Sequence, residues 1–155
     1  TPYTPPKEPN PMHQPAQPPA SVHTLTIPIT NPKHLLNANS RKHWADRSTK
    51  TSIWRPAGRT AAQAAALPVL VPFVTIHATI YKPRAGRYDP TNLYPTIKAI
   101  IDGLTDYGLV EDDDYRHVDG PHMHHGGFDK TNPRIELTII THQEPPHAPY
   151  SPYPA

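Results

Sequence analysis

The sequence has no cysteine among its 155 residues. Disulfide bonds and thiolate metal sites are therefore excluded, which suits the reducing conditions of a cytoplasm. No apolar run approaches the roughly 18 residues that a membrane-spanning helix needs. The N-terminus also lacks the apolar segment of a secretory signal. We therefore expect a cytoplasmic protein with no membrane partner.

Apolar residues are scarce, at 35%, whereas prolines are numerous, at 23. Residues 1–20 contain eight prolines, and residues 144–155 contain five more. Such segments have too little apolar surface to offset the entropy that is lost on ordering. We therefore predict a disordered proline-rich arm over 1–20, a single folded domain over 21–143 and a disordered tail over 144–155.

Charge is divided unevenly along the chain, although the net charge is only +2. Residues 1–101 hold twelve lysines and arginines against three acidic residues, whereas 102–155 hold three against ten. A metal-dependent nuclease needs cations to bind phosphates and carboxylates to bind metal ions. The distribution favours such a protein, and chance segregation on a solvated surface is the alternative.

Hydrophobic periodicity predicts an α+β domain with the element order β-α-β-α-β-β. We expect a mixed or antiparallel sheet that is packed by helices. The first strand covers 23–29, and the segment 39–66 is mainly helical with a break or kink at Pro56. The β-branched and aromatic stretch 69–81 gives the strongest strand prediction.

The second half of the chain should continue this alternation. Asn92 can cap a helix that runs to about Asp106, and Gly108 ends that helical region. Two further strands are expected at 115–124 and 133–141, with the Gly126-Gly127 region joining them as a loop or hairpin.

The stretch 89–114 is rich in aspartate and carries the predicted chemistry. Asp89 precedes the helix, Asp102 lies on it four residues after Lys98, and a run of three aspartates at 112–114 follows it. If the chain folds back, these carboxylates supply oxygen ligands for Mg²⁺ or Mn²⁺, and Lys98 steadies a phosphate. The alternatives are an ordinary turn, an i,i+4 surface pair and a solvated acidic loop.

The order of these residues resembles the RusA family of Holliday-junction resolvases. The signature of that family is an Asp-x-Asp-Asn element, then a lysine and an aspartate, then an Asp-Asp pair before a strand. The matching pieces are DPTN at 89–92, KAIIDGL at 98–104 and GLVEDD at 108–113. The resemblance covers about 21–141, including a similar last strand at 134–139.

This resemblance implies a RusA-like endodeoxyribonuclease that depends on Mg²⁺, with Mn²⁺ as an alternative. It implies paired hydrolytic nicks in four-way and other branched double-stranded DNA, made by a homodimer. Asp89 and Asp113 match catalytic, metal-binding carboxylates, and Lys98 matches a lysine required for cleavage. Asp102 and Asp112 match further acidic positions that we count among the metal ligands.

The sequence departs from the family pattern in two ways. Thr91 replaces the second aspartate of the Asp-x-Asp-Asn element, and about three extra residues separate Asn92 from Lys98. Asp102, Asp112 or Asp114 would then have to complete the metal shell. A non-catalytic protein that binds branched DNA on the same fold is therefore the alternative.

Basic residues of the helical segment and of the loop at 82–88 predict the DNA-binding surface. The residues that we assign to it are Arg41, Lys42, Arg47, Lys50, Arg84 and Arg87. A solvated helix face is the alternative for the helical members.

Four histidines, His117, His122, His124 and His125, suggest a transition-metal site. Their spacing fits no standard zinc motif, although His122 and His124 would share a face of a regular strand. We expect ordinary strand and loop histidines, and a zinc hydrolase is the third interpretation.

Overall fold

Alternating apolar side chains build one four-stranded sheet that is covered by two helices. The computed structural model describes residues 2–4, 20–39 and 44–145. Within that part, the strands and α-helices are β1 (Ser21–Pro28), α1 (Trp44–Ala64), β2 (Phe73–Lys82), α2 (Tyr94–Tyr107), β3 (Val118–Phe128) and β4 (Arg134–His142). Short 3-10 helices cover Pro32–His34 and Pro90–Leu93. The predicted α+β class and element order are thus confirmed.

The sheet is mixed, with the strand order β1-β4-β2-β3. The last strand in the chain, β4, lies between β1 and β2 and is antiparallel to both. The edge strand β3 pairs with β2 in parallel. Consequently β1, β2 and β3 all run in the same direction, and their C-terminal ends meet at one end of the sheet.

The core lies between one face of the sheet and the helices. Along β4, buried and half-buried residues alternate strictly, so that Ile135, Leu137 and Ile139 are completely buried. They pack with inward-facing residues of β2 and with Ile100 and Leu104 of α2 in one apolar cluster. The opposite sheet face carries mostly polar side chains and is open in the described part of the chain.

The expected disruption at Pro56 does not break the helix, because α1 is continuous from Trp44 to Ala64. Proline in a helix interior costs about 3 kcal/mol or more. Close packing of α1 against α2 offsets this cost. At the contact, a Cβ atom on Gly58 would overlap the carbonyl oxygen of Ile100, and one on Gly103 would overlap that of Arg55.

Two local predictions in the second half of the chain are wrong. Asn92 caps no helix: Asp89 caps the 3-10 helix Pro90–Leu93, and α2 follows with Leu93 at its N-cap. The Gly126-Gly127 pair lies inside β3 rather than in a hairpin, because β3 continues to Phe128. A β3–β4 hairpin does not form, since β2 lies between these two strands.

Candidate functional site

Helix α2 carries Lys98 at the border of its buried apolar stripe. Ile97 and Ile100 are completely buried, which fixes the rotation of the helix about its axis. The Lys98 side chain is 39% exposed. After the helix, Gly108 has a φ of 103°, a left-handed conformation that glycine adopts without steric cost. The chain turns there, and the acidic run at 112–114 follows alongside α2.

Lys98 binds two carboxylates. Its Nζ donates a hydrogen bond of 2.7 Å to Asp102 and another to Asp113. Burial disfavours the charged ammonium, but the two carboxylates outweigh that effect, so the pKa of Lys98 is raised. The hydrogen bond from Lys98 is the main reason that the pKa of Asp113 is lowered. At neutral pH, Lys98 is therefore charged and Asp113 is ionised.

The three adjacent aspartates have different hydrogen-bond partners. Asp112 accepts a hydrogen bond of 2.7 Å from the backbone N–H of Asp113. Asp114 accepts hydrogen bonds from the guanidinium and from the backbone N–H of Arg116, which lower its pKa. Of the three, Asp113 is the one that hydrogen-bonds Lys98. The side chain of Asp114 is engaged by Arg116 instead of completing a metal shell.

Asp89 is engaged by the residue that departs from the family pattern. Its Oδ1 accepts hydrogen bonds from the hydroxyl of Thr91 at 2.8 Å and from the N–H of Thr91 at 3.0 Å. These hydrogen bonds lower the pKa of Asp89. In the described chain, no hydrogen bond joins Asp89 to Lys98 or Asp113. The same residues contain no group of three or more histidine, aspartate or glutamate side chains that could hold a metal ion.

Asp102 and Asp113 nevertheless provide a smaller set of oxygen donors. Mg²⁺ usually keeps several waters and binds through one or two carboxylates together with substrate phosphates. The two side chains are 30% and 23% exposed, so a cation and a phosphate have access to both. Their donor type and exposure fit Mg²⁺ or Mn²⁺. Neither Asp89 nor Asp112, the other predicted ligands, is hydrogen-bonded to Lys98.

The predicted DNA-binding residues have different surroundings. Arg84 and Arg87 are exposed in the loop after β2, and Arg47 is exposed on α1. Lys50 is only 7% exposed, and its burial counts against the predicted contact with DNA. The remaining two, Arg41 and Lys42, lie outside the described residues.

The four predicted histidines have different surroundings. His122 and His124 lie on the open face of the sheet, where both rings stack with His77 of β2 at centroid distances of 4.9 and 5.2 Å. In contrast, His117 contacts the carbonyl of Pro72, and His125 is hydrogen-bonded to the hydroxyl of Tyr88. The four therefore form no common site, and the zinc hydrolase interpretation gains no support.

Sequence reasoning missed His77 and three lysines, Lys33, Lys82 and Lys130. The outward position of His77 follows from the alternation in β2, but its neighbours depend on the pairing of β2 with β3. The lysines lie around one cleft with Arg84. Each of these lysines lies at or soon after the end of a strand, and this position in the sequence is the signal that could have identified them.

No protein-family model matches the chain, and no curated protein shows significant sequence similarity to it. The likeness to RusA therefore depends on the motifs quoted above. As for membranes, none of the helices in the described ranges has both the length and the apolar character that a bilayer span requires.

Proposed function

We propose that the chain is a Mg²⁺-dependent endodeoxyribonuclease that resolves four-way and other branched DNA junctions by paired nicks. The observation that carries this proposal is the Lys98 ammonium held between the carboxylates of Asp102 and Asp113. Two residues of the RusA-like motif, Lys98 and Asp113, thus meet although fifteen positions separate them. That meeting supports the proposal because a purely coincidental motif match would not require it.

Each member of the cluster has a role in phosphodiester hydrolysis. The Lys98 ammonium binds a non-bridging oxygen of the scissile phosphate and offsets the charge that develops there. Asp113 and Asp102 would hold Mg²⁺, which supplies a water nucleophile of lowered pKa and charge neutralisation. Asp113 suits this role because its lowered pKa keeps the carboxylate ionised at neutral pH.

Symmetric cleavage of a four-way junction requires two active sites. A twofold axis that relates two copies of the chain would supply both sites with matched orientation. The proposal therefore includes a homodimer. The exposed arginines Arg84 and Arg87 serve in it as DNA contacts.

A second candidate, a branched-DNA-binding protein without catalytic activity, is favoured by one observation. The Oδ1 of Asp89 is occupied by two hydrogen bonds from Thr91, the residue that replaces a carboxylate of the family motif. Asp89 is then a structural cap rather than a metal ligand. This candidate shares the fold and the basic surface with the first, and differs from it in leaving the DNA uncut.

The test is cleavage of a fluorescently labelled synthetic four-way junction by the full chain in Mg²⁺. We expect paired, symmetric nicks from the wild type and a loss of about 100-fold or more in Asp113→Asn, the range found when one transition-state contact is removed. Asp106→Asn is the matched control, since Asp106 also pairs with a cation, Arg55, but outside the motif. Junction binding without nicks by the wild type would establish the second candidate instead.

A further inference from the structure

Three connections of the chain meet at one end of the sheet. Because β1, β2 and β3 run in the same direction, the segments that follow them all start at this end. Binding residues concentrate on such connecting segments, since a rigid sheet positions them while they stay accessible. Lys33 follows β1, Lys82 ends β2 and is followed by Arg84, and Lys130 follows β3.

These connections enclose a cleft of about 950 Å³. Lys33, Lys82, Arg84 and Lys130 line it, and no aspartate or glutamate of the described residues does. Apolar side chains of the lining include that of Leu93, which is 5% exposed. The cleft thus combines four positive charges with an apolar surface.

The four cations have no carboxylate partner in the described chain. Lys82 lies over the ring of Tyr88 at 4.2 Å from the centroid, a contact that leaves its positive charge uncompensated. By contrast, Arg55, Arg116 and Arg134 each pair with an aspartate. Four like charges around one cleft repel one another, so an anionic ligand would stabilise them.

The walls of the cleft are fixed by hydrogen bonds to the rest of the fold. The hydroxyl of the fully buried Thr96 accepts from the N–H of Leu36 at 2.7 Å and donates to its carbonyl at 3.0 Å. The Lys82 carbonyl accepts from the N–H of Asp129 at 2.8 Å, which ties the segment after β3 to the end of β2. The cleft is therefore formed before any ligand binds, and little ordering entropy is lost on binding.

We propose that this cleft binds a short single-stranded segment of DNA, with its phosphates on the four cations. The inference rests on the proposed function, in which DNA is the substrate. Pockets of about 300–1,000 Å³ hold small-molecule-sized ligands, so the cleft fits a few nucleotides. Sugars and bases pack against the apolar lining. The 3-10 helix Pro90–Leu93 joins the cleft to Asp89 over about 8 Å at a rise of about 2.0 Å per residue.

The test measures binding of a fluorescein-labelled oligothymidylate to the full chain by anisotropy, in EDTA and at several NaCl concentrations. Two exposed cations of the cleft are removed in the double variant Lys33→Gln with Lys130→Gln. Each phosphate contact contributes about 0.7 to the slope of log K against log salt for a single strand. We therefore expect weaker binding and a slope that is smaller by about 1.4 for the two lost contacts.

The matched control is the double variant Arg55→Gln with Arg59→Gln, which removes the same charge from α1. Equal losses in the two double variants would overturn the proposal, because they would show a dependence on net charge alone. Thymidine monophosphate and the unlabelled oligomer are also compared as competitors of the labelled strand. If both displace it equally well at the same nucleotide concentration, the proposal is overturned and the cleft is assigned to free nucleotides. Since EDTA prevents metal-dependent cleavage, the outcome is independent of whether the chain cuts junctions.

Discussion

His77 shows how one side chain can connect two strands on the open face of the sheet. Its Nδ1 lies 2.9 Å from Nε2 of His124, which is a hydrogen bond between β2 and β3. The ring of His122 also stacks with that of His77, and His122 in turn contacts Asp119 at 2.9 Å. Burial, followed by the neighbouring His122 and His124, lowers the pKa of His77, while Asp119 opposes the shift.

This environment predicts a loss of stability on mild acidification. The unfolded chain takes up a proton at His77 near the ordinary pKa of about 6.5, and the folded chain only at lower pH. The free energy of unfolding is then fully retained above about pH 6.5 and falls as the pH drops toward the folded pKa. Urea midpoints at about pH 7.5 and about pH 5.5 should differ less in His77→Gln than in the wild type. The control Thr79→Val, on the same face of β2 and without a titrating group, should keep the wild-type difference. An unchanged difference in His77→Gln would contradict the prediction.

The two helices approach each other closely enough for their backbones to touch. Gly58 of α1 and Gly103 of α2 lie at this crossing, each against a carbonyl group of the other helix. The contact holds α2 in place and thereby sets the position of Lys98. It also explains how α1 continues through Pro56, since packing on α2 stabilises a helix that its own sequence disfavours.

A methyl group at the crossing should therefore destabilise the fold. We expect Gly103→Ala to lower the free energy of unfolding by about 1–3 kcal/mol, because its Cβ would overlap the carbonyl oxygen of Arg55 and force the helices apart. Gly86→Ala is the matched control, since no heavy atom lies within 4 Å of the place that its Cβ would take. A urea titration of both variants checks this, and equal midpoints would show that the helices are not in close contact.

Over the molecule as a whole, the basic residues have two kinds of surroundings. Three basic residues of the first 101 positions, Lys33, Lys82 and Arg84, lie at one end of the sheet, where Lys130 from the acidic half joins them. Along α2, in contrast, Lys98 is matched by acidic residues. The unpaired cations of the cleft lie on the connections after β1, β2 and β3, whereas Lys98 and its carboxylate partners lie on α2 and just after it.

The extent of the buried core indicates where the folded domain begins and ends. Every buried apolar side chain in the described part lies between Leu25 and Ile139. A chain of residues 20–145 should therefore unfold in urea with a free energy within about 0.5 kcal/mol of that of the full chain. Circular dichroism of both chains provides the measurement. A deficit above about 1 kcal/mol, beyond the usual effect of surface changes, would show that the proline-rich ends pack on the domain, contrary to their predicted disorder.

Much of the fold could be predicted from local patterns. β-branched and aromatic composition predicted β2, hydrophobic periodicity predicted β4 and α2, and Gly108 marked the end of α2. The errors arose at residues that are compatible with two different local structures. Gly126 and Gly127 suit a turn as well as an edge strand, and proline tends to end a helix unless packing stabilises it.

Of the candidate site, the sequence by itself determined the residue types: carboxylates and a lysine in the order of the RusA-like motif, and a basic first half. The tertiary structure decided which of them meet. Lys98 binds Asp102 and Asp113, Asp89 binds Thr91, and the cations of three connections surround one cleft. The physical reason is that side-chain periodicity reflects local burial, which a short stretch of sequence encodes. Strand order, helix crossing and the meeting of distant charges depend on long-range packing and hydrogen bonds, which no short stretch contains.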